Sequence, residues 1–127
     1  MKRLILEMGI GNDLYGGDYT KAACRAVQDA LHHSSLTLFR TLGYRHEDMK
    51  VKVTIGVQAP EKVDTDVVLK ELPRGRPEVH VVKGGLDSFD AENDNLNVIA
   101  TAAIEAFLDI DPGAWVLSES AGDAAHE

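Results

Sequence analysis

The chain has 127 residues, with 13 basic and 21 acidic side chains and a formal charge of −8. That length suits one domain, and an apolar share of 44% argues against global disorder. No stretch approaches the roughly 20 apolar residues of a membrane-crossing helix, and the acid excess disfavours both nucleic acid and anionic membrane surfaces as partners.

In chain order, the apolar run Lys2–Met8 reads as a buried strand. Its early acid, Glu7, comes too soon for a signal peptide. Gly9 to Gly17 then places four glycines in nine residues, which predicts a tight irregular connection. From Asp18 or Thr20, either of which can cap a helix, the pattern turns helical. Ala22, Ala23, Ala26, Val27, Ala30 and Leu31 recur at spacings of three and four, and so small a face predicts a helix lying close against a sheet. Cys24 falls among these alanines, where a buried thiol is expected. As the single cysteine it can close no internal disulfide, which fits a reducing cytoplasm. Ser34–Leu42 is expected to continue helically or as a second short helix, with Gly43 as terminator.

Lys50–Gln58 alternates cleanly and predicts a half-buried strand with Val51, Val53, Ile55 and Val57 on one face. Pro60 ends it, and Asp64 caps a short helix through Leu72. Glu78–Lys83 predicts a strand stopped by Gly84-Gly85, with His80 facing away from Val79 and Val81. Asn97–Leu108 is apolar on both faces and fits strand or helix by period, which leaves the choice open. Pro112-Gly113 marks a turn, so a domain over residues 1–111 would be followed by an acidic tail over 112–127. The ten acids after Leu86 meet no lysine or arginine, so that half is either a solvated surface or a docking face for a neighbouring subunit.

The glycine-rich segment carries the most specific chemistry. Asp13 and Asp18 stand where a phosphate would sit, Leu14 replaces the third glycine of a dinucleotide fingerprint, and Gly17 replaces the lysine of a phosphate loop. Nucleotide binding by this loop is therefore rejected. Two readings stay open: a polar pocket in which Asn12, Asp13 and Asp18 hold a neutral or cationic ligand, a metal or a shared proton, or a tight turn whose acids only cap backbone. Lys83 before Gly84-Gly85 could hold an anionic group, and Ser88 is close enough in sequence to suggest a Ser/Lys pair; a plain surface lysine is the other reading. Asp87, Asp90, Glu92 and Asp94 crowd one loop, but Asn95 and Thr101 replace the glycine and glutamate of a calcium loop. The five histidines lack zinc spacing, and no metal ligands are assigned.

Gly9-x-Gly11-x-Asp13-x-Tyr15-Gly16, followed by Asp18-x-Thr20-Lys21-Ala22-Ala23-x-Arg25-Ala26-Val27, resembles the Lin-type family of small conserved hypothetical proteins, whose signature is Gly-x-Gly-x-Asp-x-His-Gly. Lys50–Val57 and Val81–Leu86 fit as well, so the likeness spans residues 2–108. This family resemblance is what favours a buried strand over a helix for Asn97–Leu108. Tyr15 replaces the family histidine, which puts in doubt any role tied to an imidazole; a phenol does not titrate near neutrality. The resemblance implies a site near the first loop and no particular reaction. The order of elements is also similar to the trimeric chorismate-mutase and YjgF-type folds, and to the repeat unit of cyclic amide hydrolases, which carry a serine and a lysine in their site.

The expected fold is α+β, a mostly antiparallel sheet of about four strands with the main helix on one face. A cytoplasmic homo-oligomer, a trimer or an assembly of trimers, is expected, with inter-subunit pockets for a small-molecule ligand. Those pockets would be lined by Gly9, Gly11, Asn12, Tyr15, Gly16, Gly84 and Gly85. Asp13, Asp18, Lys83 and Ser88 are the catalytic candidates if the protein is an enzyme on a small polar metabolite such as a cyclic amide. The rival reading is a non-catalytic binding or regulatory protein using the same pocket.

Overall fold

The computed structural model describes residues 1–33, 45–72 and 75–109. The expected helical continuation over 34–42, Gly43, the turn at Pro112 and the acidic tail lie outside the described residues. Within them the fold is α+β, a mixed sheet of five strands that does not close. The strands are β1 (Lys2–Asp13), β2 (Lys50–Val57), β3 (Arg76–Lys83), β4 (Leu86–Asp90) and β5 (Asn95–Leu108), and the helices are α1 (Tyr19–His32) and the short α2 (Thr65–Leu69). None of the described helices is long and apolar enough to cross a membrane.

β5 organises the sheet. It pairs antiparallel with β1 along one edge, and with β2 and then β4 along the other. β3 lies outside β2 and runs parallel to it. Three of the four pairings are antiparallel, as expected. The number of strands is the correction. Leu86–Asp90, read from sequence as part of an acidic loop, is a fifth strand that fills the lane beyond the end of β2. Gly84 and Gly85 carry the chain from β3 into that lane. Gly84 N–H donates to the Val57 carbonyl at 2.9 Å, and Gly85 has φ +63° with Ile99 O only 2.2 Å from where a Cβ would lie. Only glycine fits this crossing of backbones.

A second correction concerns β1, which runs on to Asp13 instead of stopping at Met8. Gly9 and Gly11 are strand residues under α1. A Cβ on Gly11 would lie 2.2 Å from Ala26 N, and one on Gly9 2.4 Å from Ala26 O. Their glycines thus serve a close helix–strand approach, the second meaning glycine carries inside a strand. The alanine face of α1 completes that contact: Ala22, Ala23, Ala26, Val27 and Ala30 are fully buried. Against them pack Val51, Val53, Ile55 and Val57 of β2 and alternate residues of β5 from Val98 to Leu108. Burial of each larger side chain contributes about 1.5–3 kcal/mol.

α1 and the core lie on one side of the sheet. The other side has no covering layer among the described residues. Along β5 this open side runs from Phe107 and Glu105, through Ala103, Thr101 and Ile99, to Asn97 and Asn95.

Candidate functional site

The glycine-rich segment builds the N-terminus of α1. Asp13 is 5% exposed, and its Oδ2 accepts the Asp18 N–H at 2.8 Å. Its Oδ1 lies 3.7 Å from Arg25 Nη1, and that guanidinium donates to the Asn12 carbonyl at 2.6 Å. Asp18 is the cap, accepting Lys21 N–H at 3.0 Å. Thr20 instead accepts Asp64 N–H at 2.9 Å, tying α1 to the start of α2. Asp13 and Asp18 are thus engaged with backbone at a helix N-terminus, where orphan N–H groups and the helix dipole favour negative charge. Gly17, with φ +61°, covers Leu96, and a Cβ on Gly16 would lie 3.1 Å from Asp13 Oδ2.

The same helix end is held from the other side. Tyr19 is buried, and its hydroxyl donates to Asp87 Oδ2 of β4. That bond to a carboxylate, then burial, then the negative charges of Asp87 and Glu61 push the phenol up to about 12. Lys62 Nζ stands 5.8 Å from the Tyr19 ring centroid. Asp87 Oδ1 is buried and has no hydrogen-bond partner among the described residues. Cys24 is buried as expected, and burial raises its thiol further from the reactive form, ahead of the charges of Glu71 and Asp18.

Lys83 and Ser88 are not brought together within one chain. Lys83 is level with Val57, on the helix side of the outer strand β3. Ser88 is opposite Asn97, on the open side. Gln58 Nε2 donates to the Gly84 carbonyl at 3.0 Å, so the Gly84-Gly85 crossing is held by protein groups. His80 does face away from the core and meets Glu78 Oε1 at 2.8 Å, a bond that, with Lys50, holds Glu78 below its usual range. Among the described residues no group of three or more His, Cys, Asp or Glu side chains is placed to hold a metal ion.

A recess of about 480 Å³ lies beyond the helix cap, where the 14–15 loop meets the β4–β5 hairpin. Leu14, Tyr15, Asp90, Asn93, Asn95 and Asn97 line it. Asn95 Nδ2 donates to the Leu14 carbonyl and, at 2.9 Å, to Asn97 Oδ1, so the amides are pre-positioned. Asn93 Nδ2 donates to Asp90 Oδ2 at 2.7 Å, and that bond leads the interactions holding Asp90 below the usual carboxylate range, followed by backbone N–H groups of Asn93 and Glu92. Asp90 is therefore the hairpin's turn-forming acid. Tyr15 is 89% exposed and stands over the recess free of packing duties.

Of the residues singled out from sequence, Tyr15 and Asp90 line this recess, and Ser88 pairs with Asn97 on the neighbouring strand without lining it. The asparagines were missed. Their signal was present as Asn93-x-Asn95-x-Asn97, a period of two that puts the last two on one face of a strand.

A model of a conserved hypothetical protein family, Lin0512, matches residues 3–106. The fold is similar to the crystal structure of an FtsZ-like protein of unknown function from Nostoc punctiforme, with a TM-score of 0.76 and 34% identity over 86% of this chain and 97% of that one. No curated protein matches.

Proposed function

The chain belongs to the Lin0512 family of conserved hypothetical proteins, and from that premise we propose that it is a binding protein for a small neutral polar compound, held in the recess between Tyr15 and Asn97. One observation carries the reading: three asparagines and Tyr15 line one recess beside Asp90, whose carboxyl is held below its usual range. Asn95 spends both its N–H donors on Leu14 and Asn97 and offers its carbonyl, while Asn93 and Asn97 each keep a donor and an acceptor in one plane. That pattern matches the adjacent N–H and C=O of a cyclic amide, and also vicinal hydroxyls. Asp90 disfavours anions there. Binding is preferred to turnover because Asp13 and Asp18 are engaged with α1, and Lys83 and Ser88 face opposite sides of the sheet.

The test is a ¹⁵N–¹H NMR titration of the full chain with a hydantoin and with a hexose. Saturable shifts at the Asn93, Asn95 and Asn97 side-chain amides and the Tyr15 backbone support the reading. Shifts that never saturate, or that centre on Lys83–Gly85, overturn it.

A further inference from the structure

We infer that the open side of the sheet is an interface at which this chain packs against further copies of itself. The register divides that side into zones. At one end Arg3, Lys50, Lys52, Glu78 and Glu105 are largely paired among themselves, with Arg3–Glu105 at 3.2 Å and Lys50–Glu78 at 3.6 Å. From the Thr54 row onward the surface is mainly apolar, with His80 as its polar member. Met8 and Ile10 project from β1, Val82 from β3 and Leu86 from β4, while Leu6 stands in the charged row opposite Glu105; these five apolar side chains are exposed, Met8 at 67%.

Between these two ridges the side chains shrink. Met8 is opposite Ala103, which is opposite Thr54; Ile10 is opposite Thr101, which is opposite Gly56, level with Val82. The result is a shallow trough floored by Ala103, Thr101, Thr54 and Gly56, flanked by Met8 and Ile10 on the β1 side and by His80 and Val82 on the β3 side. A ridge and a trough on the same face are complementary to each other, so one copy's β1 ridge can seat in the trough of the next.

Charge selects the occupant. The chain as a whole carries −8, yet the apolar rows of this face hold no Asp or Glu, and the charged end balances three cations against two acids. A basic partner would be drawn to the acidic remainder of the surface. A like-charged copy meets least repulsion here. Four strand lanes by about seven residues span about 20 by 25 Å. Two such faces give on the order of 1,000 Å² before corrugation, the lower range for a specific interface. An exposed patch of about 500 Å² matches the largest on a typical monomer, which is often functional.

The inference does not depend on ligand binding in the recess, which opens at the far end of the same face. Sedimentation equilibrium of the full chain tests it, alongside Met8→Lys, Ile10→Lys and, on α2 away from the face, Val67→Lys. Circular dichroism melts verify folding of each. The expected result is a wild-type mass at a multiple of 13.8 kDa, retained by Val67→Lys and reduced to single chains by the folded Met8→Lys or Ile10→Lys proteins. A wild-type chain that stays single at every concentration overturns it, as does an assembly indifferent to both face substitutions.

Discussion

Asp13 and Asp87 stand on one row of the sheet, each directly opposite Val98 of β5, and grip the N-terminus of α1 from two sides. Two strand spacings, about 10 Å, separate their backbones. Asp13 takes the Asp18 N–H, and Asp87 takes the Tyr19 hydroxyl. The helix start is thereby fixed to the two lanes that flank β5, and the 14–15 loop that walls the recess hangs from that clamp.

Replacing Asp13 with Ala leaves the Asp18 N–H without its acceptor and removes the carboxylate 3.7 Å from the Arg25 guanidinium. Hydrogen bonds to charged groups contribute about 1.5–3 kcal/mol, and a loss in that range is expected in urea unfolding. Asp13→Asn keeps an acceptor for Asp18 and is expected to lose about half as much. Equal stability of all three proteins would remove the clamp.

Tyr19 gives the clamp a pH signature. Its phenol is held at about 12 when folded against about 10 in an unfolded chain. A raised folded value means that the stabilisation is complete below the unfolded value and is lost as pH climbs through the folded one. Melting temperature should therefore fall between about pH 10 and pH 12. Tyr19→Phe should be less stable at pH 8 and lose that alkaline limb. A parallel pH profile for the two proteins would contradict the assignment.

Gly11→Ala tests the helix–strand approach. Its Cβ would press on the Ala26 amide and the Ala22 carbonyl, 2.2 and 2.4 Å away. Backbone cannot rotate aside as a side chain does, so a loss of about 3 kcal/mol or more is expected. The measurement is the urea midpoint of whatever soluble protein remains. A midpoint within error of wild type would show that α1 can lift off β1 freely.

Much of this architecture was legible in the sequence where periodicity and capping agree. The α1 alanine face, the alternation of β2 and the Asp64 cap of α2 each follow from local chemistry and stand as read. β5 is a strand because β1, β2 and β4 take up both its edges, a long-range fact that its own residues only half express. Gly9 and Gly11 misled because a glycine needed for clearance looks, in sequence, like one needed for a turn. β4 was hidden by its brevity and its two acids. The Tyr19–Asp87 bond joins residues 68 apart and has no sequence signature. Likewise, the recess forms only when the hairpin folds back beside Leu14.

The central claim is that a ligand sits among the asparagines, with the glycine crossing at Lys83 serving the fold. It is tested most directly by one isothermal titration series with a single bound compound, comparing wild type, Asn97→Ala and Lys83→Ala. The account predicts at least about ten-fold weaker binding for Asn97→Ala, the loss of one or two hydrogen bonds, and no change for Lys83→Ala. Weakened binding in Lys83→Ala, with Asn97→Ala unaffected, would contradict it and move the site to the β3–β4 crossing.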